Sequence, residues 1–497
     1  MSRTLRRSCT ACYKYKHSCD LRTPRCTRCI KRNVQCVYAN QPLTAPENSG
    51  SAIAPSESST LASYRFSGLD PFDSYPQTRL PRERVQRLIH SFLHKIAFQY
   101  YPLDLNATTN PFLISWWPLA LGDPALFHVS LQTACLDEEL LAQKGFQGSE
   151  ILMTDSVALL RRKIENQSLA VQDGTMNSVI TLAAIEFGKG NIDVAGMHVN
   201  GVKKLVTLRG GINSVRQTSP LTARMISWVS MIVTGHPQFD TQDDVGIGDG
   251  IPPIPEWQFN SSSVLFIEEK AIDFLGLVND DVEYAVRNVF IRLRNAFQRA
   301  QHIPIPPTHL HDLTCFVIHR LLLSAPLDTT ERNPEDSLPT PSPLTECVRY
   351  ATILYMFIIH GPTYYSHAVM LNTMVTRFVQ YLKQSDLTPH VHTPLDVWFM
   401  AVGLVASTGT NPSHYQWFLE RARMVASGNL HLTNWSDAIK KVKSVLWLDT
   451  VQADTIFRPH WDAVFSEAPD VPVHRLDLAA CVSSSRAHED LMTYNHV

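Results

Sequence analysis

The sequence predicts a mainly α-helical protein with three parts: a small cysteine-rich head, a linker without regular structure, and a large all-α body. Three observations carry this. Six of the ten cysteines fall between Cys9 and Cys36. Apolar residues further along recur at helical spacing, and strand-type alternation is nowhere sustained. Between the two lies a stretch rich in Pro, Ser, Thr, Ala and Gly with no apolar period, which reads as a disordered linker. The expected boundaries are 1–38, 39–81, 82–470 and a C-terminal tail, 471–497.

The head is a repeat: Cys9-x2-Cys12-x6-Cys19 returns 17 residues later as Cys26-x2-Cys29-x6-Cys36. Clustered cysteines form disulfides where the surroundings oxidise and bind metal where they do not. No apolar stretch behind the basic start marks a secreted chain. The longest nearly unbroken apolar run, from Ala351 to Gly361, is too short to cross a bilayer. Metal is therefore the expected use, and no membrane is an expected partner. A structural zinc takes four ligands in a tetrahedron, so six thiolates hold two ions only if two cysteines bridge both. The repeat makes the bridges equivalent positions: Cys9 with Cys26, Cys12 with Cys29, or Cys19 with Cys36. Spacing does not choose among these.

The two CxxC-x6-C halves, joined by a loop carrying Pro24, resemble the fungal zinc binuclear cluster (Zn2Cys6) family. The resemblance implies two Zn2+ per chain, held by Cys9, Cys12, Cys19, Cys26, Cys29 and Cys36, with Cys9 and Cys26 touching both ions. It also implies a nuclear regulator of transcription bound to double-stranded DNA, with the transcription machinery or co-regulators as further partners. In the family a short helix running on from the second cysteine enters the major groove over a CGG half-site. Here that segment is YKYKHS. Of its commonly basic positions, Tyr13, Tyr15 and Ser18 depart and Lys16 is kept, so Lys16 is the expected reader, donating to guanine O6 and N7. Lys14, Arg6, Arg7, Arg22, Arg28, Lys31 and Arg32 are expected to meet phosphate, which positions without specifying. Tyr13 and Tyr15 either meet phosphate or pack on the cluster.

Charge points the same way. Residues 1–36 carry ten Lys and Arg against one acid, Asp20, while the remainder carries 34 against 45. A basic head on an acidic body suits nucleic acid at the N-terminus, where affinity comes from releasing counterions from phosphate. Arg3, Arg6, Arg7, Lys14 and Lys16 read as a nuclear import signal. Many relatives follow the cluster with a coiled coil. No a/d heptad run lies between Val37 and Leu80, so pairing by that device is not expected and the oligomeric state stays open.

In the body, Val85, Leu88, Ile89, Phe92, Leu93 and Ile96 share one helix face. Asp123 and Pro124 read as the cap and first-turn proline of a helix over PALFHVSLQTACLDEELLA. VAGMHVNGVKKLVTLRGG reads as a helix closed by Gly210 and Gly211. WWPLALGDPALFHVSLQTAC, the helix ending in LVTLRGGINSV, CFVIHRLLLSAP, TPLDVWFMAVGLVASTG and VLWLDTVQADTIFRPHW, from about residue 116 to 461, resemble the helical regulatory domain that follows the cluster in one branch of the family, which implies no active site or ligand.

Other features have plain readings. His311, Cys315 and His319 fall at metal-ligand spacing on one helix face, but core packing explains them. His390 and His392 lie between prolines as loop. Phe239–Glu283 holds eleven acids and one base, Lys270, among aromatic residues. That mixture suits either an activation surface or a solvated edge. Cys135, Cys347 and Cys481 read as buried thiols. No phosphate loop, nucleophile elbow or HExxH motif occurs, so no enzyme is expected. The resemblance implies a DNA-binding regulator of metabolic or secondary-metabolite genes, and its rival is a zinc-stabilised scaffold or co-regulator that acts through protein contacts.

Overall fold

The structure, a computed structural model, describes residues 10–15, 17, 27–32, 34, 75–143, 145–258, 282–324, 341–364, 367–385, 392–408, 410–450 and 453–466. Most of the linker, the tail beyond residue 466, Cys481 and His390 lie outside them. The chain divides into two compact units, one up to Tyr75 and one from Pro76. The first contains α1 (Thr10–Lys14) and α2 (Thr27–Lys31).

Among its described residues the second unit is mainly helical. It runs through α3 (Arg82–Ser91), α4 (Ala97–Tyr100), α5 (Trp117–Gly122), α6 (Pro124–Ala142), α7 (Gln147–Ile164), α8 (Gln167–Ala170), α9 (Asp173–Gly188), α10 (Ile192–Leu208), α11 (Ile212–Thr218) and α12 (Pro220–Thr234). It continues through α13 (Tyr284–Ala300), α14 (Pro307–Ser324), α15 (Pro343–His360), α16 (Ala368–Ser385), α17 (Pro394–Ala406), α18 (Pro412–Ser427), α19 (Trp435–Val445) and α20 (Ala453–Phe465). Among the described residues the only β pairing is an isolated bridge between Thr241 and Ile251.

Local chemistry explains the helices that the sequence marks. The face of Val85, Leu88, Ile89, Phe92 and Ile96 is buried. A π-helical turn at Phe92–Ile96 carries it into α4, and the wider turn leaves Leu93 half-buried instead of on the core face. Asp123 Oδ1 accepts from the backbone of Ala125 and Leu126 at 3.1 and 3.3 Å, and Pro124 takes the first position of α6. Gly210 and Gly211 both have φ of 94°. There the Gly211 N–H donates back to Val206 O at 3.0 Å and ends α10. At α17, Thr393 and Asp396 form a reciprocal capping box.

Packing falls into two groups. α9 lies against α6, α10 and α12, while α6 also packs on α7. In the second group α15 touches α14, α16 and α17, and α17 touches α18, α19 and α20. Several helices are covered on every side: Ala125–Leu136, Gly174–Glu186, Leu310–His319, Thr345–Phe357 and Val397–Leu404 are buried without a break. Many of their polar side chains are satisfied within the helix itself. Ser130, Thr133, Ser178, Thr181 and Thr352 donate to the carbonyl four residues earlier, at 2.6–3.0 Å. Buried Arg349 donates to Glu346 Oε1 at 3.0 Å.

The groups are joined where α14 meets α11 and α12. Asp312, 2 % exposed, accepts from Arg224 Nε and Nη2 at 2.8 and 2.9 Å and from Arg216 Nη2 at 3.0 Å. Burial would raise the Asp312 carboxyl, but hydrogen bonding and charge from Arg224, with charge from Arg216, hold it below its ordinary value.

Beside this clamp lies a cluster of buried rings. His360 stacks on Trp228 at 4.2 Å, and His311 lies 5.1 Å from His360 and stacks on Tyr101 at 5.4 Å. His311 Nδ1, His360 Nε2 and Trp228 Nε1 have no hydrogen-bond partner among the described residues. The expected plain reading of His311, Cys315 and His319 fits what is seen. All three are buried, the His319 Nδ1 proton goes to its own-turn Cys315 carbonyl at 2.7 Å, and no described group of three could hold a metal. Cys135 and Cys347 are buried as expected, their thiols pushed up to about 11 and about 12, chiefly by burial.

Burial lowers His311 and His319 to about 4 and His360 well below its ordinary value. As pH falls below the unfolded value of about 6.5, the unfolded chain takes up protons that the native chain refuses, so stability is lost on acidification. His311 and His319 each cost about 2 kcal/mol at pH 5, and His360 acts in the same direction. Urea unfolding between pH 7 and 5 should show this loss, and His311→Gln should flatten the slope. An unchanged slope would show that His311 does not carry it.

Gly403 of α17 faces Phe418 of α18, and a Cβ at Gly403 would stand 2.1 Å from the Phe418 ring. Because Phe418 is fully buried, the ring has nowhere to go. Gly403→Ala should therefore destabilise by about 1–3 kcal/mol despite its better helix propensity, read as a lower urea midpoint.

Candidate nucleic-acid interface

The sequence repeat is also a structural one. α1 and α2 have five residues each, TACYK and TRCIK, and begin and end 17 positions apart. Their closing bonds correspond as well. The Tyr15 N–H donates to Ala11 O at 3.2 Å and the Arg32 N–H to Arg28 O at 3.1 Å. His17 N–H then reaches Cys12 O at 2.8 Å, and Val34 N–H reaches Cys29 O at 3.1 Å. The two helices touch each other.

Five-residue helices do not stand alone in water, where helices below about 12–15 residues are marginal, and small domains usually bury apolar side chains to hold such pieces. Here the buried side chains among the described residues of this unit are Cys12 and Cys29, 2 % and 1 % exposed. They occupy the same place in each half, the third residue of the helix. Thiols so placed, in a set of six at repeat spacing, make the sulfur donor set that zinc takes. Zinc would also supply the folding free energy that a core this small lacks.

Charge lies outward. Lys14, Arg28, Lys31 and Arg32 are exposed, with Lys14 and Lys31 ending their helices at equivalent positions. Arg32 Nη1 donates to His17 Nε2 at 3.1 Å, a link between the halves that spacing alone does not suggest. Cys9, Cys19, Cys26, Cys36, Lys16, Arg6, Arg7 and Arg22 lie outside the described residues.

Two expectations change. The first helix does not run on from the second cysteine. It opens directly after the first, encloses Cys12 at its third position and closes at Lys14, because the bond from His17 back to Cys12 ends it within a turn. Tyr15 does not pack on the cluster, being 59 % exposed.

The acidic segment is described at Phe239–Gln258, Val282 and Glu283, where Asp244 and Glu256 brace the helical unit. Asp244 pairs with Arg320 at 3.2 Å and Arg292 at 3.5 Å and accepts from Trp257 Nε1 at 3.1 Å. Glu256 pairs with His309 at 2.9 Å. Phe259, Phe266, Phe274 and the acids beyond Glu256 as far as Asp281 lie outside the described residues. Among the described residues no helix is long and apolar enough to cross a membrane.

Residues 7–45 match the model of the fungal Zn(2)-Cys(6) binuclear cluster domain. Residues 87–234, which include α6, α7, α9, α10 and α12, match that of the fungal specific transcription factor domain. No curated protein and no solved structure matches the chain. The chain therefore carries a zinc-binding Zn(2)-Cys(6) cluster domain in front and a fungal specific transcription factor domain behind it, the domains of DNA-binding transcription regulators rather than of enzymes.

Proposed function

We propose that residues 1–38 hold two Zn2+ through Cys9, Cys12, Cys19, Cys26, Cys29 and Cys36, with Cys9 and Cys26 as bridges, and read a CGG-like half-site in double-stranded DNA. The observation that carries this reading is the pair of equivalent helices, each with its cysteine inward and its terminal lysine outward. The halves are not chemically equal. The position after next from Lys14 is Lys16, whereas the position after next from Lys31 is Asn33. An asparagine pairs best with adenine edges and a lysine with guanine, so the first half is the guanine reader and the second mainly meets phosphate. Residues 39–81 serve as the linker. The helical unit carries regulation and meets the transcription machinery or co-regulators, and the controlled set is metabolic or secondary-metabolite genes.

Two measurements on the full chain test this. Native mass spectrometry should give two zincs, with Cys9→Ser or Cys26→Ser losing both and Cys12→Ser retaining one. One zinc in the wild type would defeat the bridged cluster. In selection and titration with duplex DNA, Lys16→Ala should cost about 1–3 kcal/mol on the preferred site and relax discrimination at that base, with zinc retained. Lys31→Ala should instead weaken all sequences alike and lower the slope of log K against log salt by about one. A zinc-loaded wild type that shows no sequence preference would replace DNA reading with a scaffold role.

A further inference from the structure

A cleft opens where α11, α12, α14 and the loop around Gly250 meet, lined among others by Arg216, Arg224, Ser227 and Asp312. Its charge is unbalanced. Asp312 is the one carboxylate among the lining residues and is saturated by three N–H donors from two guanidiniums. One positive charge is left over. Of the five N–H donors that each arginine owns, Arg216 spends a donor on Asp312 through Nη2 alone, and Arg224 spends Nε and Nη2, leaving Nη1. The Arg216 side chain is 25 % exposed and Arg224 13 %, so these donors stand at a mouth open to solvent with their positions already set by a buried anchor.

The wall opposite is rigid. Gly250 has φ of 125°, and a Cβ there would lie 2.5 Å from Asp240 O. Paired bonds of 2.9 Å, Gln242 N–H to Ile251 O and Ile251 N–H to Asp240 O, clamp this loop. Asp249, next to Gly250 in the chain, does not line the cleft and accepts at Oδ1 from the Gly250 N–H at 2.9 Å. The cleft holds about 10 Å3 of space, room for about one oxygen-sized group.

The geometry points to an anion-binding site, in which the charged end of a carboxylate- or phosphate-bearing small molecule enters against Arg216 while the rest of the ligand lies outside. Fixed guanidiniums with spare donors are the groups that bind such oxyanions. Because Arg216 and Arg224 come from α11 and α12 and Asp312 from α14, an occupant would tighten the seam between the two helical groups and couple ligand to stability. The site is independent of how the cluster reads DNA.

Thermal unfolding of the full chain tests it, with inorganic phosphate and malonate as probes and sodium chloride at matched ionic strength. Wild type should show a saturable rise in Tm of a few degrees with at least one anion, above the linear rise that excluded salts cause. Saturation by phosphate alone would assign phosphoryl ligands, and by malonate alone carboxylates. Arg216→Met should keep only the linear part, measured from its own baseline, since Arg224 still holds Asp312 through two bonds. Arg216→Lys, retaining charge without the fork, should bind more weakly but visibly. The proposal is overturned if wild type shows only the linear part with both anions, or if Arg216→Met saturates as wild type does.

Discussion

A helix that is buried on every side has to be fenced by other helices, and the architecture of this chain depends on that constraint. α6, α9, α14, α15 and α17 each run for eight or more residues without reaching solvent. All but the Val397–Leu404 run of α17 also hold polar residues. Hydroxyls that donate to the preceding turn let a fully buried helix keep Ser and Thr, since the donor is satisfied within the helix and asks nothing of its neighbours. Charged groups cannot be handled locally in that way. Arg349 is paired one turn back with Glu346, but Asp312 needs partners from two other helices. Removing one member of such a buried set leaves an uncompensated charge, which costs far more than the set itself contributes.

The Asp312 clamp is therefore both a structural seam and a chemical anomaly. Two cations on one anion make sense inside a protein only where solvent or another anion completes the balance, and the open side of the Arg216 cleft is where that completion is available. The neighbouring rings show the opposite solution. His311, His360 and Trp228 accept burial by staying neutral; for His311 burial outweighs the adjacent Asp312 carboxylate, with Arg224 and Arg216 acting in the same direction as burial. Seam and ring cluster thus respond to different variables, one to anions and one to protons, although His311 and Asp312 are adjacent residues.

The head solves its problem by other means. With no apolar core among its described residues, two five-residue helices are brought together around thiols. The internal duplication gives each half the same helix, the same closing bond and the same buried cysteine, while the outward residues diverge: Tyr15 against Arg32, His17 against Val34. Such divergence on a repeated frame is how one half can come to read bases while the other holds the backbone.

The sequence by itself determined the features whose cause is local. Two cysteine repeats announced a duplicated head, because equal spacing puts one cysteine at the same position of a short helix in each half. Asp123 with Pro124 and Gly210 with Gly211 announced helix ends, because caps depend on side chains within a few residues. The face from Val85 to Ile96 was legible because that helix borders solvent and so keeps a period. Periodicity fails for α9, α15 and α17, where solvent touches no side over most of the length and nothing selects polar residues for one face. Tertiary structure alone decided that Asp312 would meet Arg216 and Arg224, 96 and 88 residues away, that Asp244 would brace the loop against α13 and α14, and that Tyr15 would face solvent. Each of these depends on which helices become neighbours. That choice rests on the summed burial of whole faces, which no local run of residues encodes.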